Sequence, residues 1–220
     1  MKVFVSWSGG KDCSLSLYRF KQQYPDAEIV AILNMNRATT QNAHRFSGDL
    51  LQAQADAMGV RLYRETVEEG NEYLFHYKRA INALKEEGVE YGVFGDIYLE
   101  SHRTWIDAQC EALGIKPIYP LWECDVHDLY KEFIEAGFIT KVIAVRNDHK
   151  FASLLSRNLT MEIHEQMLEH EGFDVCGENG EFHTFVLDGP LFSHPVAYEV
   201  VGEYKDAKIH ALELDIPRSK

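Results

Sequence analysis

The chain has 220 residues, 45% of them hydrophobic and 26% charged, with a formal net charge of −13. That size suits one large globular domain or two small ones with ample core. The acidic surplus disfavours nucleic acid and anionic membrane surfaces, both of which are gripped through Lys and Arg. No apolar run approaches the roughly 20 residues that span a bilayer, and the N-terminus reads as a strand, not a leader peptide. A cytoplasmic protein is expected. Cys13, Cys110, Cys124 and Cys176 are far apart and form no C-x-x-C, which implies reduced thiols and no zinc or redox spacing.

The first half alternates strand and helix, the pattern of a parallel sheet covered by helices. Strands are predicted at 3–7, 29–33, 61–63, 91–94 and 117–119. Helices are predicted at 12–22, 46–58, 71–87 and 101–113, with Asn71 as an N-cap and Gly59, Gly88 and Gly114 as terminators. After Pro120-Leu121-Trp122 the character changes. Asp125 caps a helix that stops at Gly137, and strands follow at 141–145, 184–187, 198–204 and 209–214. The expected fold is a doubly wound α/β domain with a mostly parallel sheet over 1–122. A smaller α+β domain follows over 123–220.

Between the first strand and the first helix stands Ser8-Gly9-Gly10-Lys11-Asp12-Cys13. Two adjacent glycines open backbone conformations closed to other residues and permit close approach to a ligand. The amides of the turn and of the first helical residues are expected to point outward, unpaired, at the positive end of the helix dipole. Such a corner binds anions, phosphate above all, and Lys11 adds a point charge. The bland alternative is a plain turn and a solvated helix start. The string is neither the Walker pattern nor the dinucleotide fingerprint, which need other glycine spacings.

In open α/β sheets, ligands sit outside the carboxyl ends of the strands. Residues 8–12 follow the first strand, Asn34-Met35-Asn36 the second and Gly95-Asp96 the fourth, so these loops are expected to line one crevice. Main-chain groups near Asn34 and Met35 suit the edge of an adenine. Asp96 suits a substrate or a hydrated magnesium ion, or else caps a turn. Arg103 offers a planar fork to phosphate or carboxylate. His44 and Arg45 read as surface residues, and Trp7, Trp105, Trp122 and Cys110 as core. His164-Glu165 begins like a zinc-protease helix, but position 168 is Leu, so a solvated helix is expected.

A second constellation is Gly177-Glu178-Asn179-Gly180-Glu181-Phe182-His183-Thr184, followed by Asp188-Gly189-Pro190-Leu191-Phe192. Glu178 and Glu181 suit a cationic group, and His183 suits proton transfer near neutral pH. The alternative is a polar hairpin with a solvated face.

The first of these strings resembles the SGGxD pyrophosphate loop of the N-type ATP pyrophosphatases, with Cys13 where that family carries Ser. The second, with Gly95-Asp96-Ile97, His102-Arg103 and Pro120-Leu121-Trp122, resembles the signature of the diphthine–ammonia ligase family. The resemblance covers residues 3–192 and implies an adenine nucleotide alpha hydrolase-like, Rossmann-like fold and an ATP-dependent enzyme. Such an enzyme adenylates the carboxylate of diphthine on elongation factor 2, releases pyrophosphate, and lets ammonia displace AMP to leave diphthamide.

The resemblance further implies ATP at Ser8, Gly9, Gly10, Lys11, Asp12, Cys13, Asn34, Met35 and Gly95, with Mg²⁺ bridging the phosphates. Lys11, Asp12 and Asp96 would be catalytic. Arg103, Glu178, Gly180, Glu181, His183 and Thr184 would bind the acceptor, the carboxylates meeting its quaternary ammonium. No protein-only metal centre and no membrane partner are expected, and self-association stays open. Two rivals remain at this level: a base-modifying enzyme with the same loop acting on another small-molecule or RNA acceptor, and a non-catalytic nucleotide sensor.

Overall fold

Val3, Phe4 and Val5 are all fully buried, so the first strand is enclosed on both faces, as a central strand of a parallel sheet must be. The computed structural model describes residues 1–37, 46–67, 73–147, 150 and 152–217. Asn71, His44 and Arg45 lie outside the described residues. In chain order the elements are β1 (Lys2–Ser6), α1 (Lys11–Gln23), β2 (Glu28–Arg37), α2 (Gly48–Met58), β3 (Leu62–Val67), α3 (Tyr73–Glu86), β4 (Tyr91–Val93), α4 (Glu100–Leu113) and β5 (Lys116–Ile118). There follow α5 (Val126–Glu135), β6 (Ile139–Arg146), a short 3-10 turn (Ala152–Leu154), α6 (Met161–Leu168), β7 (Phe182–Asp188), β8 (Glu199–Lys205) and β9 (Ile209–Asp215). The chain divides into two units. One comprises Met1–Ser8, Asp12–Thr40 and Gly59–Glu123; the other comprises Gly9–Lys11, Gln41–Met58 and Cys124–Lys220.

The first unit holds a five-stranded parallel sheet in the order β3-β2-β1-β4-β5. The chain steps outward from β1 to β2 and β3, then returns to lay β4 and β5 on the other side. The order therefore reverses between β1 and β4, which is where doubly wound sheets bind ligands. Phe4, Ala31, Leu33, Ile81, Leu84, Phe94, Ile106 and Cys110 fill one core under α3 and α4. Each large side chain buried there contributes about 1.5–3 kcal/mol over an exposed one. Phe4 meets Phe94 edge-on, with ring centroids 5.7 Å apart. Cys110 and Trp7 are core residues as expected, whereas Trp105 is 38% exposed. It lies against Tyr73 and Tyr77 at the margin of the cluster.

The second unit holds an antiparallel sheet in the order β7-β6-β9-β8. Tyr130 from α5, Ile163 and Met167 from α6, and Val142, Val145 and Phe182 from the sheet make its core. The sequence places α2 in a strand–helix alternation that would cover the parallel sheet. The structure instead packs it in the second unit. Phe46 bridges to Leu214, the Ser47 amide donates to Leu214 O (3.0 Å), and Ser193 donates its amide and hydroxyl to Ala57 O (2.7 and 2.8 Å). Helical periodicity shows that a face is buried and is silent about which sheet it meets. The helix α6 is likewise not merely solvated. Ile163, His164 and Met167 are buried, and His164 Nε2 lies 3.1 Å from His127 Nδ1.

Gly92 shows how tightly the first core is closed. A Cβ there would lie 2.7 Å from Phe4 Cζ and 2.9 Å from Phe94 Cε2. Both rings are almost wholly buried and have nowhere to yield. Gly92→Ala is expected to destabilise the protein by about 1–3 kcal/mol through overpacking. Urea unfolding measures this, and an unchanged midpoint would mean that the Phe4 ring moves without cost.

Candidate functional site

The glycine turn is fastened at Gly9. Its φ of +82° is the left-handed conformation that glycine adopts freely. A Cβ would sit 3.1 Å from each of Gln54 Oε1, Leu51 Cδ2 and Phe185 Cε2. Its carbonyl accepts from the Val186 amide (2.9 Å) and from Gln54 Nε2 (3.0 Å), and Gln54 also donates to Val186 O (2.7 Å). Gln54 is a fully buried amide on α2, and it ties the turn to β7. Nothing in its local sequence marks it beyond its place on the helix's buried face.

Lys11 opens α1 and is 6% exposed. Its Nζ lies 5.7 Å from the Phe182 ring centroid, a distance at which ammonium and ring attract. Its amide donates to Thr184 Oγ1 at 3.1 Å. The expectation that every amide of this corner points outward unpaired is therefore corrected at Lys11. The partner is 173 residues distant in sequence, so no local pattern announces it. Thr184, read as an acceptor-binding residue, has a second job as a brace for the turn.

In the first unit, Ser8 Oγ and Cys13 Sγ lie 3.5 Å apart, with Cys13 buried. Gly95 follows β4 and lies against the first turn of α1. A Cβ there would come within 2.9 Å of the Asp12 carbonyl carbon and 3.0 Å of the Cys13 amide nitrogen. Only glycine allows that approach, and it brings Asp96 toward Asp12. The Asp96 carboxylate is 18% exposed and 3.4 Å from His102 Nδ1. Burial pushes its carboxyl above the usual range, against the charge and hydrogen bond of His102, and Asp12 pushes it further up.

Asn34 and Met35 lie inside β2, which runs on to Arg37, and not in a loop beyond it as expected. They pair with Arg64 and Glu65 of β3. The longer strand has a simple cause. The pairing with β1 ends at Leu33, while the pairing with β3 continues to Arg37. The Asn34 side chain donates to Trp7 O (2.8 Å) and holds the exit of β1. The Arg103 guanidinium lies 4.6 Å from the Trp122 ring and 5.4 Å from that of Tyr119, with Nε 3.5 Å from Asp107 Oδ2. These contacts fix its plane.

The second constellation is a turn organised by Asp174, a residue the sequence reading passed over. Its carboxylate accepts from the amides of Cys176 (2.8 Å) and Glu178 (2.9 Å). An Asp that accepts amides two and four residues on is a recognisable turn signal. Gly177 and Gly180 take φ of +76° and +78°, and the Gly180 amide closes the turn on Gly177 O (3.0 Å). Glu181 is then 3% exposed, and its Oε2 has no hydrogen-bond partner. Burial, and next the positive charge of Lys11, push the His183 imidazole down to about 4. The ring is neutral at pH 7 and can donate a hydrogen bond from one nitrogen and accept one at the other without carrying charge.

A doubly wound sheet with a glycine turn leading out of β1 at the switch point defines the class, an α/β fold that takes ligands at its strand ends. Residues 1–117 match the Diphthamide synthase N-terminal domain and residues 125–214 the Diphthamide synthase C-terminal domain. The chain is an enzyme of the diphthamide synthase family. It is 30% identical to the diphthine–ammonia ligase of Bos taurus over 239 residues, 94% of this chain and 87% of that protein. It is 27% identical to that of Rattus norvegicus over 245 residues, 99% of this chain and 88% of that protein. The solved structure described as a predicted subunit of tRNA methyltransferase from Methanocaldococcus jannaschii gives a TM-score of 0.42 at 18% identity, covering 77% of this chain and 87% of that one.

The His183 shift predicts a pH dependence of stability. Its folded value of about 4 lies below the ordinary 6.5, so the unfolded chain takes the proton first as pH falls. The contribution is fully present above about 6.5 and is lost toward pH 4, by roughly 1–3 kcal/mol. His183→Gln is expected to flatten that limb of a plot of urea midpoint against pH. Equal slopes in the two proteins would show that the folded structure does not hold this ring neutral.

Proposed function

We propose that this enzyme is an ATP-dependent amide ligase that acts on the carboxylate of diphthine on elongation factor 2. In the first step an acceptor carboxylate oxygen attacks the α-phosphorus of ATP, the bond to the bridging oxygen breaks, and pyrophosphate leaves. In the second, ammonia attacks the acyl carbon and AMP leaves with the electron pair of the C–O bond, giving diphthamide. The single observation that carries the reading is the Gly9 turn, locked in a left-handed conformation at the head of α1 with Lys11 behind it. Pyrophosphate gathers charge as it leaves, and the Lys11 ammonium and the positive end of α1 stabilise that charge. Ser8, Gly10 and Cys13 complete the cradle, and the backbone of Asn34 and Met35 with Gly95 flanks the nucleotide.

Asp12 and Asp96 would hold a magnesium ion, a hard cation that suits carboxylate oxygens. When bound, the ion would offset phosphate charge. Arg103 presents a fixed guanidinium to an anionic group. Glu178 and Gly180, on the turn held by Asp174, meet the quaternary ammonium of the acceptor. His183 and Thr184 bound the same region.

Incubation with ATP, Mg²⁺ and ammonium is expected to release AMP and pyrophosphate only when diphthine-bearing elongation factor 2 is added. Lys11→Met should slow that release by about 10²–10³-fold with the far-ultraviolet dichroism unchanged. ADP as the product, or release indifferent to the acceptor, would defeat the proposal.

A further inference from the structure

Three carboxylates among the described residues are at least nine-tenths buried: Glu65, Asp174 and Glu181. Two of them are met by donors, and neither leaves a fully enclosed oxygen without one. Glu65 accepts from His76 Nδ1 at 2.7 Å and from Arg79. Asp174 accepts the two amides described above. Glu181 is the most enclosed of the three at 3%, yet its Oε2 meets no donor. A buried carboxylate oxygen without a donor is costly, and native proteins rarely keep one without a reason.

The place of Glu181 narrows what the missing donor is. Glu181 leads directly into β7. Phe182, the next residue, faces the Lys11 ammonium, and Thr184 takes the Lys11 amide. All of these residues belong to the second unit. Glu181 therefore stands one residue before the strand whose Phe182 and Thr184 meet Lys11 of the turn that would hold the leaving pyrophosphate. A quaternary ammonium does not suit it, because such a head has no N–H to give to an oxygen that lacks a donor. A cation rich in N–H suits it in charge and in hydrogen bonding. We infer that Glu181 binds the ammonium ion that supplies the nitrogen of the new amide, and accepts its proton.

This inference rests on the ligase reading and separates two roles that the sequence leaves together. Glu178 meets the acceptor's cation, while Glu181 holds the nucleophile. The terminal carboxylate torsion of Glu is soft, so either oxygen can turn toward the entering ion. One N–H bond of ammonium breaks and its proton passes to the Glu181 carboxylate. The freed lone pair attacks the acyl carbon of the adenylate, the C–O bond to phosphate breaks, and AMP departs. The second proton leaves the nitrogen to water.

Two measurements test this, and they fail separately. In the first, thermal unfolding of the whole chain is compared in ammonium chloride, sodium chloride and tetramethylammonium chloride at equal ionic strength. Ammonium alone is expected to raise the midpoint, by about 2 °C near saturation, and Glu181→Gln to abolish the difference. Equal midpoints in all three salts would overturn the site whether or not the enzyme turns over. In the second, Glu181→Gln is expected to raise the KM for ammonium at least about tenfold, while the KM for ATP moves far less. Hydroxylamine, uncharged near neutral pH, should then form the hydroxamate at a rate close to wild type. An unchanged KM for ammonium, or an equal rise in the KM for ATP, would overturn the assignment. Absence of pyrophosphate release in the wild type would remove the ligase reading and leave the thermal comparison to decide the ammonium site.

Discussion

The left-handed turn at Gly9 is the constraint from which the rest follows. Its carbonyl is held by a β7 amide and a buried Gln54 side chain, and three neighbours stand 3.1 Å from where a Cβ would lie. A backbone bent that way points the chain into α1 at once, so that Lys11 becomes the first helical residue. The turn is thus prepared before any ligand arrives. Binding energy need not be spent on ordering it, which is the general advantage of preorganisation.

Buried polar groups make the site specific. Gln54, Thr184 and Asp174 each spend their hydrogen bonds on fixing backbone, one at the turn, one at Lys11 and one at the segment before Glu181. Loss of any one partner leaves another buried group without its bond, which is why such networks resist substitution. His183 and Asp96 show the complementary effect. Both are pushed toward their uncharged forms chiefly by burial. Near neutral pH this keeps the His183 ring uncharged beside Lys11. It leaves Asp96 readier for a proton, with His102 opposing.

Much of this was legible in residue order. Glycine terminators, the Asp125 cap and the alternation of strand and helix locate the elements, and Asp125 does accept from the His127 and Asp128 amides. The Ser8–Cys13 string and the Gly177–Thr184 string identify the two segments that matter. The misreadings have physical causes. β2 is longer than its apolar run because the β3 ladder outlasts the β1 ladder. His164 is buried on α6 because it meets His127 of α5. Asp174 was passed over although its spacing to Cys176 and Glu178 is a local signal. Gln54 carries no local signal, since only its distant carbonyl partners explain a buried amide.

The sequence by itself determined the period of each element, the positions where only glycine serves, and the family, because these depend on neighbours within a few residues. Tertiary structure alone decided that α2 joins the antiparallel sheet and that Thr184 takes the Lys11 amide. It alone left a carboxylate oxygen of Glu181 enclosed without a donor. The first two outcomes turn on pairings between residues more than a hundred positions apart. Local propensity carries no information about such pairings, because their energy appears only when the chain is packed and water is excluded.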